Sequence, residues 1–282
     1  MIAPEFRFHL PHERLRPYLR GYLFGDFEGG PPVDDYIYPE WGHIRVATSG
    51  DWILRLGDTV LSTSITPVIA CGPSSRPIKA MAVPPTRTVS IGLMPLGWAR
   101  LFGLSAEDFA DRLRPMVEVR PDVADCLLPI VRGVTDDAAL CVMLDDLFLS
   151  LEAAGPPISP LMARACALVL DEEIRTAELF AASLGRSARQ LSRLSREIFG
   201  FPPKLLLRRQ RFLRSLLALR LNPGMRSSLV IDKGYYDHSH FIRDFHRFMG
   251  MSPRQYFTRP HPLMDEATSV IKLDIGATPK AA

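Results

Sequence analysis

The side chains best placed to do chemistry are arginines at helical spacing. Arg189, Ser192, Arg193 and Arg196 are separated by three and four residues, which sets them on one side of a helix, while Leu191, Leu194 and Ile198 fall on the other. An arginine fork donates two hydrogen bonds at once, to the O6/N7 edge of a guanine or to phosphate oxygens. The chemistry so encoded is recognition of a polyanion rather than bond-making. Fifty residues on, the equivalent outer positions hold Ser239, Ile242, Arg243 and His246, with His238 and His240 in the first turn.

These two faces belong to an internal repeat. Leu191, Arg193, Ile198, Gly200 and Pro203 correspond to Phe241, Arg243, Phe248, Gly250 and Pro253, all shifted by fifty. Each copy reads as a helix-turn-helix. In the first, Leu179, Phe180, Ala181 and Leu184 lead to Gly185, which suits a left-handed turn, and Ala181 is small enough for a tight helix crossing. Ser187 and Gln190 make an S-x-x-Q capping box at the start of the next helix. In the second, Leu229, Val230 and Ile231 lead to Gly234, Asp237 caps the helix that begins at His238, and Gly250 ends it. Lys204 to Leu219 reads as one long connecting helix, expected to set the two recognition helices about one DNA turn (~34 Å) apart.

Charge is partitioned along the chain. Residues 185–259 hold sixteen Lys and Arg against four acidic residues, out of totals of 34 and 31, so the rest of the chain is acidic. A basic module of that density fits a nucleic-acid partner. The length of 282 residues fits two domains, and no apolar run is long enough for a membrane span. The first twelve residues interleave Glu5, Arg7 and His9 with apolar residues, unlike a secretory signal, so a cytoplasmic location is expected. Cys71, Cys126, Cys141 and Cys166 form no CxxC pair and read as buried, reduced thiols.

The segment GYYDHSHFIRDFHRFMGMSPRQYF, Gly234 to Phe257, together with Ala181, Gly185, Ser187, Leu191, Arg193, Gly200 and Pro203, resembles the AraC/XylS transcription regulators over residues 161–257. The resemblance implies double-stranded promoter DNA as partner. It places base reading on Arg189, Ser192 and Arg193 in the first unit and on His238, Ser239, His240 and Arg243 in the second. Arg196, Lys204 and Arg208 are the candidates for phosphate contact. Val230 stands where the family commonly has alanine, and Ser195 stands opposite Phe245, leaving a smaller core anchor that Phe199 or Phe201 is expected to fill.

Residues 1–118 read as mainly β, with runs at Ile44–Thr48, Trp52–Leu56, Thr59–Leu61, Pro67–Cys71 and Thr88–Leu93. They resemble, more loosely, the family's cupin-like sensor domain, which implies a small-molecule effector. Trp41, His43 and Trp52 are the pocket candidates. Leu140, Leu144, Leu147 and Leu151 form one stripe of a helix over residues 138–152, suited to packing within the chain or to a homodimer through this domain. The fold class expected is α+β: a β-rich domain over residues 1–154, a linker at 155–160 marked by Gly155-Pro156-Pro157, an all-α double helix-turn-helix domain over 161–259, and a tail of 260–282 without clear pattern.

A cupin-like metal enzyme is the alternative class. His9, His12 and His43 do not form a ligand cluster, and His238 and His240 stand about 200° apart on a helix, so no metal, cofactor or catalytic residue is assigned. No GxSxG, Walker or GxGxxG pattern occurs. A DNA-independent interaction protein is the third class, disfavoured by the basic faces. The expected function is a sequence-specific, effector-responsive transcription regulator, with RNA polymerase as a further partner if it activates.

Overall fold

The computed structural model describes residues 5–222 and 231–276. Leu229 and Val230, on which the leading helix of the second unit depends, lie outside the described residues, as do residues 1–4 and 277–282 of the terminal segments.

Alternating apolar positions build the N-terminal half. β1 (Glu5–His9), β2 (Leu19–Phe27), β3 (Val33–Ile37), β4 (His43–Leu56), β5 (Thr59–Ser62), β6 (Val68–Cys71), β7 (Ile78–Leu93) and β8 (Leu113–Pro115) form one antiparallel sheet. Its order is β1-β2-β7-β4-β6-β8, with β3 added along β7 and β5 along β4. This is the β-rich domain expected, although the hydrogen-bonded path among the described residues runs from β1 to β8 without closing into a ring.

The runs 44–48 and 52–56 are one strand rather than two. β4 slips register twice against β7, between Ala47 and Ser49 and between Ser49 and Asp51. Such irregularities change which face a residue addresses. Trp52 therefore shares a cavity with His43 and Arg45, while Ile44 and Val46 enter the core on the other side.

That second core is closed by α1 (Gly97–Phe102), α2 (Met116–Val119), α3 (Pro121–Gly133) and α4 (Asp137–Ala154). Asp136 caps α4 by accepting from Ala139 N–H at 2.8 Å. Leu140, Leu144 and Phe148 are its fully buried residues, with Leu147 and Leu151 only partly buried, so the buried stripe is rotated slightly from the leucine line. The helix α4 thus buries one stripe within the chain and leaves Val142 and Met143 exposed on another side.

Gly155 follows α4 and lies against the end of α1, where a Cβ would come 1.7 Å from the Arg100 carbonyl oxygen. Arg100 Nη1 donates to the carbonyls of Gly155 and Pro156 at 3.0 and 2.9 Å, fastening the linker to the β domain.

The helices that follow are α5 (Pro160–Leu170), α6 (Ala177–Leu184), α7 (Ala188–Phe199), α8 (Pro203–Leu221), α9 (His238–Met249), α10 (Pro253–Phe257) and α11 (Pro262–Gly276). Those of the first unit, with α5, form their own core around Phe180, Leu191, Ile198 and Leu206. The second unit does not. Phe212, Phe241, Phe245 and Phe248 belong to one continuous apolar cluster with Phe6, Ile37 and Trp52 of the sheet.

The bridge is α11, in the stretch where no pattern was expected. Pro262 opens the helix, and Leu263, Met264 and Ala267 bury one face of it against the sheet. On β3 the fully buried Asp35 carboxylate accepts from Met264 N–H at 2.9 Å and meets His261 Nδ1 at 2.7 Å. Leu263, Met264, Ala267 and Val270 recur at helical spacing, a local signal for a helix, but its seat on the sheet depends on a carboxylate more than two hundred residues away.

No helix among the described residues is long and apolar enough to cross a membrane. All four cysteines are free. Cys71 is buried and Cys141 and Cys166 partly so, but Cys126 is exposed on the outer face of α3, contrary to the expectation of buried thiols.

Candidate nucleic-acid interface and sensor cavity

The first unit is shaped at each end by local chemistry. Thr176 Oγ1 accepts from Leu179 N–H at 3.1 Å and starts α6. Gly185 ends it at φ 63°, ψ 40°, and the N–H groups of Gly185 and Arg186 close back on the Ala182 and Ala181 carbonyls. The capping box is complete: Ser187 Oγ accepts from Gln190 N–H, and Gln190 Oε1 accepts from Ser187 N–H at 2.9 Å. On the inner side of α7, Ser195 is fully buried and donates to the Phe201 carbonyl at 2.7 Å. Phe199 and Phe201 are both buried beside it, filling the space left by the small side chain.

Outward, Arg189 and Arg193 are exposed and engaged in no ion pair among the described residues, and Ser192 is half-buried. Arg196 lies 3.5 Å from Glu107 of the β domain and 3.4 Å from Ser192 Oγ. The C-terminal end of α7 therefore rests on the turn Ala106–Phe109, leaving the N-terminal half clear.

In the second unit Asp237 caps α9 by accepting from His240 N–H at 2.6 Å. His238, Ser239, Arg243 and His246 are exposed. His240 is not. Its ring is half-buried, edge-on to Tyr235 at 5.1 Å between centroids and 3.3 Å from Arg211 Nη2, which turns it toward the protein.

The residue the sequence reading missed here is Asp244. Fully buried between Phe241 and Phe245, it pairs with Arg208, receives the Tyr235 hydroxyl at 3.2 Å and lies 3.5 Å from Arg211. Arg208, expected at phosphate, is first of all the tie between α8 and α9. An acidic residue flanked by phenylalanines on the inward stripe of a helix is the signal that marked this pairing.

Between the units lies an open cleft of about 560 Å³. Arg175 and the start of α6 form one wall, Lys204, Arg208 and Arg211 of α8 the floor, and His240 and Arg243 the other wall. Among the described residues Glu178 is the only acidic residue lining it. The 19 residues of α8 make a rod about 28 Å long under this cleft.

A second concavity lies within the β domain. A cavity of about 60 Å³ is bounded by Arg20, Glu40, His43, Arg45 and Trp52, with Leu263, Met264 and Ala267 of α11 across from them. Arg45 donates to Ser90 Oγ at 2.6 Å and to Glu40 Oε1 at 3.0 Å, and His43 Nδ1 is 2.9 Å from the same carboxylate oxygen. Burial opposes the Glu40 charge, but His43, Arg45 and Arg20 together hold its pKa at about 2. Burial pushes His43 below its ordinary value despite Glu40. Among the described residues no three His, Cys, Asp or Glu side chains converge as metal ligands.

Of the three pocket candidates, His43 and Trp52 line this cavity and Trp41 does not. It faces the opposite way, packed 5.7 Å from the Phe199 ring and beneath the guanidinium of Arg209. The direction of a single aromatic residue between strands is not set by any periodicity. Arg209, fully buried on α8, donates to the Glu40 carbonyl at 3.2 Å and the Ser74 carbonyl at 2.9 Å. Glu40 therefore addresses the cavity with its side chain and the connecting helix with its backbone.

No curated protein matches the chain. Among solved structures it is similar to ToxT from Vibrio cholerae, at 13% identity over 84% of this chain and 98% of that chain, with a TM-score of 0.49. It is also similar to unsaturated fatty acid bound wild-type ToxT from Vibrio cholerae strain SCE256, at 12% identity over 83% and 94%, with a TM-score of 0.47. The AraC-like transcriptional activator CuxR follows at 15% identity over 76% and 86%, with a TM-score of 0.28. The family model described as a helix-turn-helix domain matches residues 180–259, the span that holds both capped recognition helices and the connector. By the family model that matches it, the stretch 180–259 of this chain is a helix-turn-helix domain.

Proposed function

We propose that the protein is a sequence-specific transcription regulator that grips double-stranded promoter DNA with α7 and α9. The observation that carries this reading is the outward, unpaired presentation of Arg189, Arg193 and Arg243 from two capped helices joined by one rigid connector. Arg193 and Arg243 are suited to guanine edges, with Arg189, Ser192, His238 and Ser239 beside them. His240, held against Tyr235, supports the helix start more than it reads bases. The cleft between the units, with Lys204 and Arg243 at its walls, suits the phosphate backbone that passes between two major-groove contacts.

Residues 1–154 act in this reading as the sensor, 155–160 as the linker and 161–259 as the DNA-binding domain, with α11 folded back as an extension of the tail. A cytoplasmic regulator fits, as do a homodimer through the sensor domain and contact with RNA polymerase in an activator. The cavity beside Glu40 is the effector site. Arg209 joins it to the connector, so a ligand that shifts Glu40 alters the seat of α8.

The test is selection of genomic fragments by the purified protein at about 0.15 M salt. A limited set of promoter fragments is expected, lost or blurred by Arg193→Ala and Arg243→Ala. Weak, sequence-blind binding indifferent to both substitutions would remove the reading.

A further inference from the structure

Three buried side-chain nitrogens of residues lining the sensor cavity lack hydrogen-bond partners among the described residues: His43 Nδ1, whose role depends on the tautomer, and two N–H donors. Arg45 is 8% exposed and Trp52 4%, yet Arg45 Nε and Trp52 Nε1 have no hydrogen-bond acceptor among the described residues. Both side chains line the same cavity. A buried N–H left without an acceptor costs free energy that an acceptor in the cavity recovers. The charges agree with the donors. Arg20 and Arg45 stand against the single carboxylate of Glu40, and His43 is disfavoured from carrying charge by burial.

The size of the cavity sets a second condition. About 60 Å³ admits a carboxylate or sulfonate head, but not the apolar body of an ordinary small-molecule ligand. The wall facing Arg45 and Trp52 is α11, the last described helix, set against the sheet through Leu263, Met264 and the Asp35–His261 contact. It is the one wall that is not part of the sheet or of a strand connection.

We infer that the cavity takes an organic anion whose charged head accepts from Arg45 and Trp52 and whose apolar body occupies the space now filled by Leu263 and Met264. In this arrangement α11 is an internal competitor for the ligand. Its displacement is felt in the second helix-turn-helix unit, because Arg220 of α8 donates both to Asp265 of α11 at 2.8 Å and to the Tyr256 hydroxyl at 2.7 Å. The inference rests on the sensor reading of the β domain and adds the class of ligand and what it must displace.

The test uses the full chain without DNA and two fluorescent probes that share one body, 8-anilinonaphthalene-1-sulfonate and the uncharged N-phenyl-1-naphthylamine. The sulfonate should bind saturably and at least about tenfold more tightly than its neutral partner. Arg45→Met should remove that preference while leaving the neutral probe unchanged, and Trp52→Phe should weaken the sulfonate alone by roughly fivefold. Asp35→Asn, which loosens α11, and Met264→Ala, which enlarges the cavity, should each tighten the sulfonate.

Circular dichroism identifies any variant that fails to fold. Arg45→Lys then replaces Arg45→Met, keeping the charge while deleting the Nε donor, and should still weaken the sulfonate. Equal binding of the two probes, or a preference indifferent to Arg45, overturns the anion site. Sulfonate binding that neither α11 variant tightens overturns the competitor role. Fragment selection by the same preparation is read separately, so anion binding without sequence-selective DNA binding would fault the regulator reading and not this one.

Discussion

The guanidinium of Arg209 lies 4.1 Å above the ring of Trp41, so that a fully buried residue of the connecting helix is stacked on a half-buried residue of the β domain. Cation–π attraction is strongest where water is excluded, and Nη1 donates to two carbonyls, although Nε and Nη2 have no acceptor among the described residues. Burial pulls the pKa of Arg209 down to about 9, which still leaves it charged at neutral pH. Arg209→Ala leaves the Glu40 and Ser74 carbonyls without this donor and empties the site, with an expected loss of about 3 kcal/mol. Arg209→Lys should restore little of it, since an ammonium lacks the plane that stacks. Urea unfolding of the full chain measures both.

The two glycines that end α6 and α7 should respond differently to alanine. Gly185 has φ 63° and open space where a Cβ would stand, so Gly185→Ala costs only the left-handed conformation, about 1 kcal/mol. Gly200, at φ 80°, would place a Cβ 3.0 Å from Ala110 Cβ and 3.1 Å from the Ala106 carbonyl oxygen. Gly200→Ala adds a collision between the first unit and the β domain and should lower Tm further. Ser187→Ala, which opens the capping box of α7, should cost about 1 kcal/mol. A larger drop for Gly185→Ala than for Gly200→Ala would show that the contact between α7 and the turn Ala106–Phe109 is not held in solution.

For DNA, Arg193→Ala should impair specific binding more than Arg243→Ala. The first recognition helix has the complete capping box and the denser arginine face, whereas Arg243 also lines the basic cleft, where phosphate contact positions without discriminating. Loss of a bidentate guanine contact corresponds to about 1–3 kcal/mol of discrimination. Titration of matched and mismatched duplexes against each variant separates the two roles: Arg193→Ala flattens the preference, and Arg243→Ala lowers both affinities together. The reverse pattern would exchange the ranking of the two units.

Acid should destabilise the protein through the cavity. Glu40 has a folded pKa of about 2 against an ordinary 4.5, so its contribution is fully present above pH 4.5 and is lost as pH falls toward 2. His43, lowered from 6.5 by burial, acts with the same sign, because the unfolded state binds its proton first as pH drops below 6.5. The shift of Glu40 corresponds to roughly 3 kcal/mol. Urea midpoints recorded from pH 7 to pH 3 should fall, and Glu40→Gln should flatten the lower part of that curve. An unchanged slope in the variant would mean that Glu40 is not the group responsible.

The helix-turn-helix half was legible because its signals are local. Gly185, the Ser187–Gln190 box and Asp237 act within four residues of themselves, and the fifty-residue repeat confirms each copy by the other. The pocket residues were legible only in part. His43 and Trp52 come to one cavity through two slips of register in β4, which no alternation pattern reports. Trp41, two residues from His43, serves the domain contact because Arg209 lies there, and that partner is far away in sequence. The helix α11 was not foreseen although Leu263, Met264, Ala267 and Val270 recur at helical spacing; what the sequence does not report is its seat against β1 and β3.

The packing of α11 against β1 joins Glu5–His9 to a helix that begins at Pro262, far along the sequence. Such a contact cannot form until the residues of α11 have been translated, however early the sheet begins to assemble. On the ribosome the β domain is therefore without one wall of its cavity, and the second helix-turn-helix unit without its final seat, until the last helix emerges. A chain interrupted shortly after Phe257 would carry every residue proposed to touch DNA and still lack the segment that fastens the second helix-turn-helix unit to the β domain.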